Sequence, residues 1–173
     1  MSKIIAIDPG LSGAIALLSD PDTVEKIWDM PVMEATHGKG NIVNPYLLAD
    51  ILKEAIELGA KDVYIEQVSS MPNQGVASTF KFGVGFGVLQ GVVACLDLPI
   101  LLVTPQKWKG YHKLLRKDVR FALQRDPTDL ELKDAARIMA IKFFPDQYEN
   151  LKLKKHNGRA DAVMIGRFAY SRI

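Results

Sequence analysis

Residues 4–18, IIAIDPGLSGAIALL, decide the fold. Ile4, Ile5, Ala6 and Ile7 are apolar in succession, without the alternation of a strand that has one wet face. Such a run suits a strand covered on both sides, as in the interior of an α/β sheet. Pro9 cannot donate to a sheet ladder and Gly10 accepts unusual backbone angles, so the strand stops at Asp8. Gly13 to Ser19 reads as a second strand, which makes residues 3–19 a hairpin. Asp8 is left at the carboxyl end of a covered strand, beside a turn of little bulk. An aspartate there either caps its own turn or serves chemistry, and this stretch alone does not separate the two.

Working outward, Thr23 to Asp29 alternates as a third strand, and Met30 to Asn44, with Pro31, Gly38 and Gly40, reads as loop. Pro45 to Leu58 carries apolar Leu47, Leu48, Ile51, Leu52, Ala55 and Ile56 at helical spacing, with Asn44 as cap, Pro45 first and Gly59 as stop. Asp62 to Glu66 is a short strand, and Ser69 to Gly75 a polar connector. Val76 to Leu96 reads as a long helix in spite of Gly83, Gly85, Gly87 and Gly91, each costing about 1 kcal/mol relative to alanine. That spacing is expected where a helix backbone comes close to a sheet or to a partner subunit. It lacks the strand–turn–helix context and the spacing of a nucleotide-binding loop. Pro99 to Val103 is a fifth strand, again fully apolar. Helices follow over Arg116–Arg125, over Leu130–Phe144, and from Gly158 or Arg159 to Arg172. Three leading strands, then strands alternating with helices, define a mixed α/β sheet of five strands with helices on both faces.

At 173 residues, with 48% hydrophobic and 24% charged, the chain fits one domain, residues 1–173, with a sizeable core. The one cysteine, Cys95, lies in an apolar stretch. It reads as a core thiol in a reducing compartment, without a partner for a disulfide or a zinc site. The N-terminus lacks a signal architecture, and no apolar run reads as long enough to span a bilayer. The expected location is the cytoplasm, with no membrane partner. A net charge of +2 says little, but its distribution says more. Gln106 to Lys117 holds five Lys/Arg, one His and two aromatics, without an acid, and Lys152 to Arg159 adds four basic residues. Basic residues interleaved with aromatics suit phosphate contacts and base stacking. Within these segments Trp108 reads as a packing residue, and a phosphate contact is the minority reading of His112. His37 reads as a surface residue.

Glu66 repeats the logic of Asp8: Val63, Tyr64 and Ile65 make a strand and Glu66 ends it. If the two strands are neighbours, the acids converge on one edge. Asp161 is read in the first turn of the last helix, among apolar Ala160, Ala162, Val163, Ile165 and Phe168. An aspartate on such a surface is an unpaired buried charge unless something neutralises it. Each acid alone has an ordinary role as turn cap, strand end or helix N-terminal acid. Three at three element ends favour a shared divalent cation. Oxygen ligands select magnesium or manganese, and two such ions can activate water against a phosphodiester.

The ordered set Ile-Asp-Pro-Gly at 7–10, Ile-Glu-Gln at 65–67 and Arg-Ala-Asp-Ala at 159–162 resembles the RuvC-type Holliday junction resolvases, their phage-encoded branch above all. The resemblance runs over essentially the whole chain. It implies a ribonuclease-H-like fold and a homodimer that binds a four-way DNA junction and nicks two strands symmetrically, in a bacterial or phage-infected cell. It implies Asp8, Glu66 and Asp161 as catalytic metal ligands, Asp8 bridging two magnesium ions for which manganese substitutes. Lys107, Lys109, Lys113, Arg116 and Lys117 would contact phosphates, with Arg159 of the second basic segment, and the glycine-rich helix would lie near the dimer interface or the DNA.

The chain departs from the family in two places. Three residues before Asp161, where the family's fourth metal residue is expected, stands Gly158, so the candidates become Asn157 and His156. The aromatic that follows the Glu-Gln pair in cellular relatives is missing from Ser69–Gly75, where Met71 is the one large apolar group and the candidate DNA contact. Two other readings stand beside a resolvase: a broader branched-DNA nuclease that cuts flaps, forks and replication intermediates, and a junction-binding protein without catalysis. An actin-like ATPase or sugar kinase also ends its first strand in an aspartate, but it needs two such domains.

Overall fold

The computed structural model describes residues 2–35, 40–69 and 75–172. His37, Met71 and most of the connector after Glu66 lie outside them. The chain opens with β1 (Lys3–Asp8), β2 (Ala14–Asp20) and β3 (Thr23–Asp29). The stretch read as loop contains a small antiparallel pair, β4 (Val32–Glu34) with β5 (Asn41–Val43). There follow α1 (Pro45–Glu57), β6 (Ala60–Glu66), α2 (Val76–Cys95), β7 (Ile100–Val103), α3 (Pro105–Tyr111), α4 (Arg116–Leu123), α5 (Asp129–Phe143), α6 (Tyr148–Leu151) and α7 (Asn157–Tyr170), with 3-10 turns at Pro145–Gln147 and Lys154–His156.

Among the described residues the main sheet has five strands in the order β3-β2-β1-β6-β7. β1, β2 and β3 form the antiparallel meander, while β6 and β7 run parallel to β1. The hairpin closes at Gly13, whose N–H donates to the Gly10 carbonyl at 2.8 Å. A Cβ at Gly13 would stand 2.1 Å from the Asp8 carbonyl oxygen, so the turn requires glycine.

Alternation along the strands divides the core. Ile4, Ala6, Ala14, Ala16, Leu18 and Tyr64 face α5 and α7, whereas Ile5, Ile7, Ile15, Leu17, Val63 and Ile65 face α1 and α2. Ile4 to Ile7 are all fully buried, which is why this strand does not alternate in sequence. α1 starts as its sequence dictates, with the Asn44 side chain accepting from the N–H groups of Tyr46 and Leu47, and Gly59 at φ +99° ends it.

α7 lies close on the sheet because both surfaces are small. Ala6, Ala14 and Ala16 meet a helix with glycine at positions 158 and 166. A Cβ at Gly166 would stand 2.4 Å from Leu18 Cδ1, and one at Gly158 would stand 2.3 Å from the Ser12 carbonyl oxygen.

α3 is a separate helix inside the basic segment, where the sequence reading assigns no element. Four expectations need correction. α7 starts at Asn157, so Asp161 sits in its second turn, away from the helix end whose dipole favours acids. Cys95 is exposed rather than buried, because it ends α2, and only Leu89 and Val93 of that helix are buried. α2 is also long and apolar enough to cross a membrane by length and composition, against the reading that no run is. Its glycines do not bring it onto the sheet. A Cβ at Gly83, Gly87 or Gly91 would meet nothing within 4 Å among the described residues, and one at Gly85 would meet only Val43 Cγ2, at 3.5 Å.

Candidate active site

β1 and β6 are parallel neighbours with Ile7 opposite Ile65, so Asp8 and Glu66 end adjacent strands at one sheet edge. Both fall on the alternation of Ala6 and Tyr64, which is the face that α7 covers. α7 adds Asp161. Burial raises the Asp8 carboxyl from 3.8 to about 7, with the nearby Glu66 charge adding to the rise. Asp161 is held well above the usual carboxylate range by burial first, then by Asp8 and more weakly by Glu66. Lys109 opposes the rise at both aspartates. The Gly10 N–H also favours the Asp8 carboxylate, so the turn-cap reading of Asp8 holds beside the electrostatic one.

Asp8 and Asp161 border a cavity of about 480 Å³, together with Ser12, Asn157, Gly158, Leu132 and Ala136. Lys109, Lys133, Lys154 and Lys155 complete its wall. Glu66 stands outside this lining. Its Oε1 accepts a hydrogen bond of 2.8 Å from Trp108 Nε1. Among the described residues no three Asp, Glu, His or Cys side chains close into a metal centre. The donor set nonetheless suits a hard divalent cation. It is all oxygen, its acids repel one another, and Asn157 Oδ1 is buried at the cavity without a hydrogen-bond partner among the described residues. Of the two candidates for a fourth ligand, Asn157 borders the cavity and His156 does not. His156 is buried beside Arg159, Lys155 and Asp29, where burial and the two cations lower its pKa. Gly158 carries no ligand because any side chain there would collide with the Ser12–Gly13 backbone.

The residues assigned to DNA divide into free and committed ones. Lys107, Lys113 and Lys117 are exposed. Lys109 lines the cavity, its Nζ 5.0 Å from the centroid of the Trp108 ring. Arg116 donates to the Pro127 carbonyl (2.9 Å) and to Asp129 Oδ1 (2.7 Å), fastening α4 to the start of α5. Arg159 grips Asp29 with two bonds of 2.6 and 2.7 Å, which holds that aspartate below the usual range. His112 is buried, its Nε2 2.9 Å from the Met164 carbonyl, and burial pushes its imidazole down to about 4. A neutral buried ring offers no charge to a phosphate. Trp108 is fully buried, as its packing reading expects, but its bond to Glu66 has no sequence signal. Lys133 was also missed, since a lone cation on a helix reads as solvated. Lys154 and Lys155 were visible only as part of a basic run.

A mixed five-stranded sheet in this order, with helices on both faces, is the ribonuclease-H-like class of fold. Within it the chain has the fold of RuvC. It aligns with T. thermophilus RuvC in complex with a Holliday junction substrate at a TM-score of 0.54 and 14% identity, over 98% of this chain and 94% of that one. A second Thermus thermophilus RuvC structure aligns at a TM-score of 0.47 and 15% identity, over 98% and 95% of the two chains. No protein-family model and no curated protein matches the sequence.

Proposed function

We propose that this chain is a metal-dependent, structure-selective DNA endonuclease that resolves four-way junctions by paired symmetric nicks. The observation that carries the reading is the meeting of Asp8 and Asp161, with the Glu66 charge acting on both, at a cavity walled by four lysines. Buried aspartates held up by burial and by neighbouring carboxylate charge suit a divalent cation, and the surrounding lysines suit the phosphates of its substrate. Asp8, Glu66, Asp161 and Asn157 would hold the metal. Held there, two magnesium or manganese ions would supply the activation of water and the stabilisation of the leaving oxygen that phosphodiester hydrolysis needs. The chain's own part is to bring the acids to one edge and to seat the phosphate against Lys109, Lys133, Lys154 and Lys155. Exposed Lys107, Lys113 and Lys117 extend the path for the DNA arms. Met71 and Arg159 are further candidate contacts, the latter at the cost of its pair with Asp29.

The fold it shares with T. thermophilus RuvC, solved with a Holliday junction substrate, supports branched DNA as the substrate. The phage-like branch rests on the sequence motifs. A single domain acting as a homodimer would match a two-fold junction with two equivalent sites. The uncovered apolar face of α2, with Phe80 at 72% exposure and Val84, Gly87 and Gly91 in line with it, is the surface for that contact. Such a role keeps α2 out of a membrane and the protein with DNA in the cytoplasm.

The test is cleavage of a labelled four-way junction in magnesium, beside flap and linear duplexes, by the wild type and by Asp8→Asn. Paired nicks confined to the junction and lost in the variant, with junction binding retained, are the expected result. Cutting of flaps as well would make it a broader branched-DNA nuclease. Normal cutting by Asp8→Asn would overturn the site.

A further inference from the structure

The buried indole of Trp108 meets both Glu66 and Lys109, and no motif points to it. Its Nε1 donates to Glu66 Oε1 at 2.8 Å, across 42 residues of chain. The Lys109 ammonium lies 5.0 Å from the ring centroid. The ring also meets His112 edge-on at 6.4 Å, and His112 Nε2 is bonded to the Met164 carbonyl of α7, the helix that carries Asp161. A buried tryptophan must find an acceptor for its N–H, and a backbone carbonyl ordinarily suffices. Here the acceptor is a carboxylate of the site, and the bond is charge-assisted.

We propose that Trp108 is a positioning residue: its N–H fixes the orientation of the Glu66 carboxylate and its ring face fixes the Lys109 ammonium. This rests on the metal-site reading above. One oxygen of Glu66 is committed to the indole, which leaves Oε2 as the oxygen available to a cation. A carboxylate held this way presents one oxygen without first giving up side-chain freedom, and hydrogen-bond partners of metal-binding carboxylates commonly govern affinity 10–100-fold.

The experiment is a manganese-binding isotherm on the full chain without DNA, read from the paramagnetic resonance of free Mn²⁺, for the wild type and Trp108→Phe. Phenylalanine keeps a ring against His112 and under Lys109 but removes the N–H. The expected result is binding about tenfold weaker in the variant, with junction binding unchanged. Equal affinity in the two proteins would overturn the proposal and leave the metal site standing. No manganese binding and no cleavage by the wild type would overturn both. If Trp108→Phe fails to fold, a second arm leaves Trp108 in place. The chain has two tryptophans, so in Trp28→Phe the emission comes from Trp108 alone. Manganese should quench it at the midpoint of the isotherm, with the quench lost on adding Glu66→Gln. Emission indifferent to saturating manganese would overturn the proposal.

Discussion

Burial, with the Glu66 charge behind it, raises Asp8 from 3.8 to about 7, and burial with the Asp8 charge lifts Asp161 well above its usual range. A carboxyl whose folded pKa exceeds its unfolded value binds more protons in the folded state. Its stabilising contribution is present below the unfolded value and is lost as pH rises through the folded one. Without metal, Asp8 therefore weakens the fold progressively between pH 4 and 8. Asp8→Asn, which keeps an acceptor for the Gly10 N–H, should stabilise the metal-free chain, by little at pH 4 and on the order of 4 kcal/mol at pH 8. His112, lowered to about 4 by burial, adds the opposite slope below its unfolded value of 6.5. The comparison must therefore be variant against wild type, by urea unfolding at each pH. Magnesium at pH 8 should reverse the ranking by stabilising only the wild type. A gain that does not change with pH would mean that the Asp8 charge is not what strains the fold. Asp8 and Glu66 were legible in the sequence because each closes a strand with an apolar interior, and Asp161 because its helical neighbours are apolar. The Trp108–Glu66 bond was not, since it joins residues 42 apart and a tryptophan in a basic run suggests packing or DNA.

At the scale of elements, α7 carries the tightest constraint. A Cβ at Gly158 would meet backbone atoms, the Ser12 oxygen at 2.3 Å and Gly13 Cα at 2.7 Å, which cannot turn aside as a side chain can. Gly158→Ala should cost about 1–3 kcal/mol through overpacking, measured by urea unfolding. Gly158→Asp, which supplies an acid at the family's fourth position, should destabilise further and restore no metal affinity. A stable, more active Gly158→Asp would mean that α7 can lift from the hairpin. The legible elements were those with strong local signals: the covered β1, the alternating β3, and α1 with its Asn44 cap. β4 and β5, at three residues each, were too short to give a pattern. α3 spans seven residues that include Gly110 and two lysines, so its sequence looks like solvated loop until Trp108 is seen to be buried.

At the scale of the molecule, α2 presents Phe80, Val84, Gly87 and Gly91 on a face that nothing in the described chain covers. Gly87→Glu has room in the monomer and should leave its melting temperature nearly unchanged. If the proposed dimer forms through this face, the variant should sediment as a monomer and turn the proposed paired junction nicks into single ones. A variant that still sediments as a dimer would move the interface elsewhere. The sequence carried the sheet, its two helical layers and the glycine stripe. It could not say which side the glycines served, because a close helix–sheet contact and a close helix–helix contact ask for the same residues.

The order of the acids along the chain, residues 8, 66 and 161, has a consequence for how the protein is made. β1 and β6 emerge from the ribosome early and can pair as soon as both are free. α7 follows both strands in the chain, and it brings both the third acid and the apolar cover of β1 and β2. A nascent chain without α7 thus lacks the third acid and the helix that covers one face of the sheet. If the proposed site acts on DNA, it would be complete only once α7 has left the ribosome.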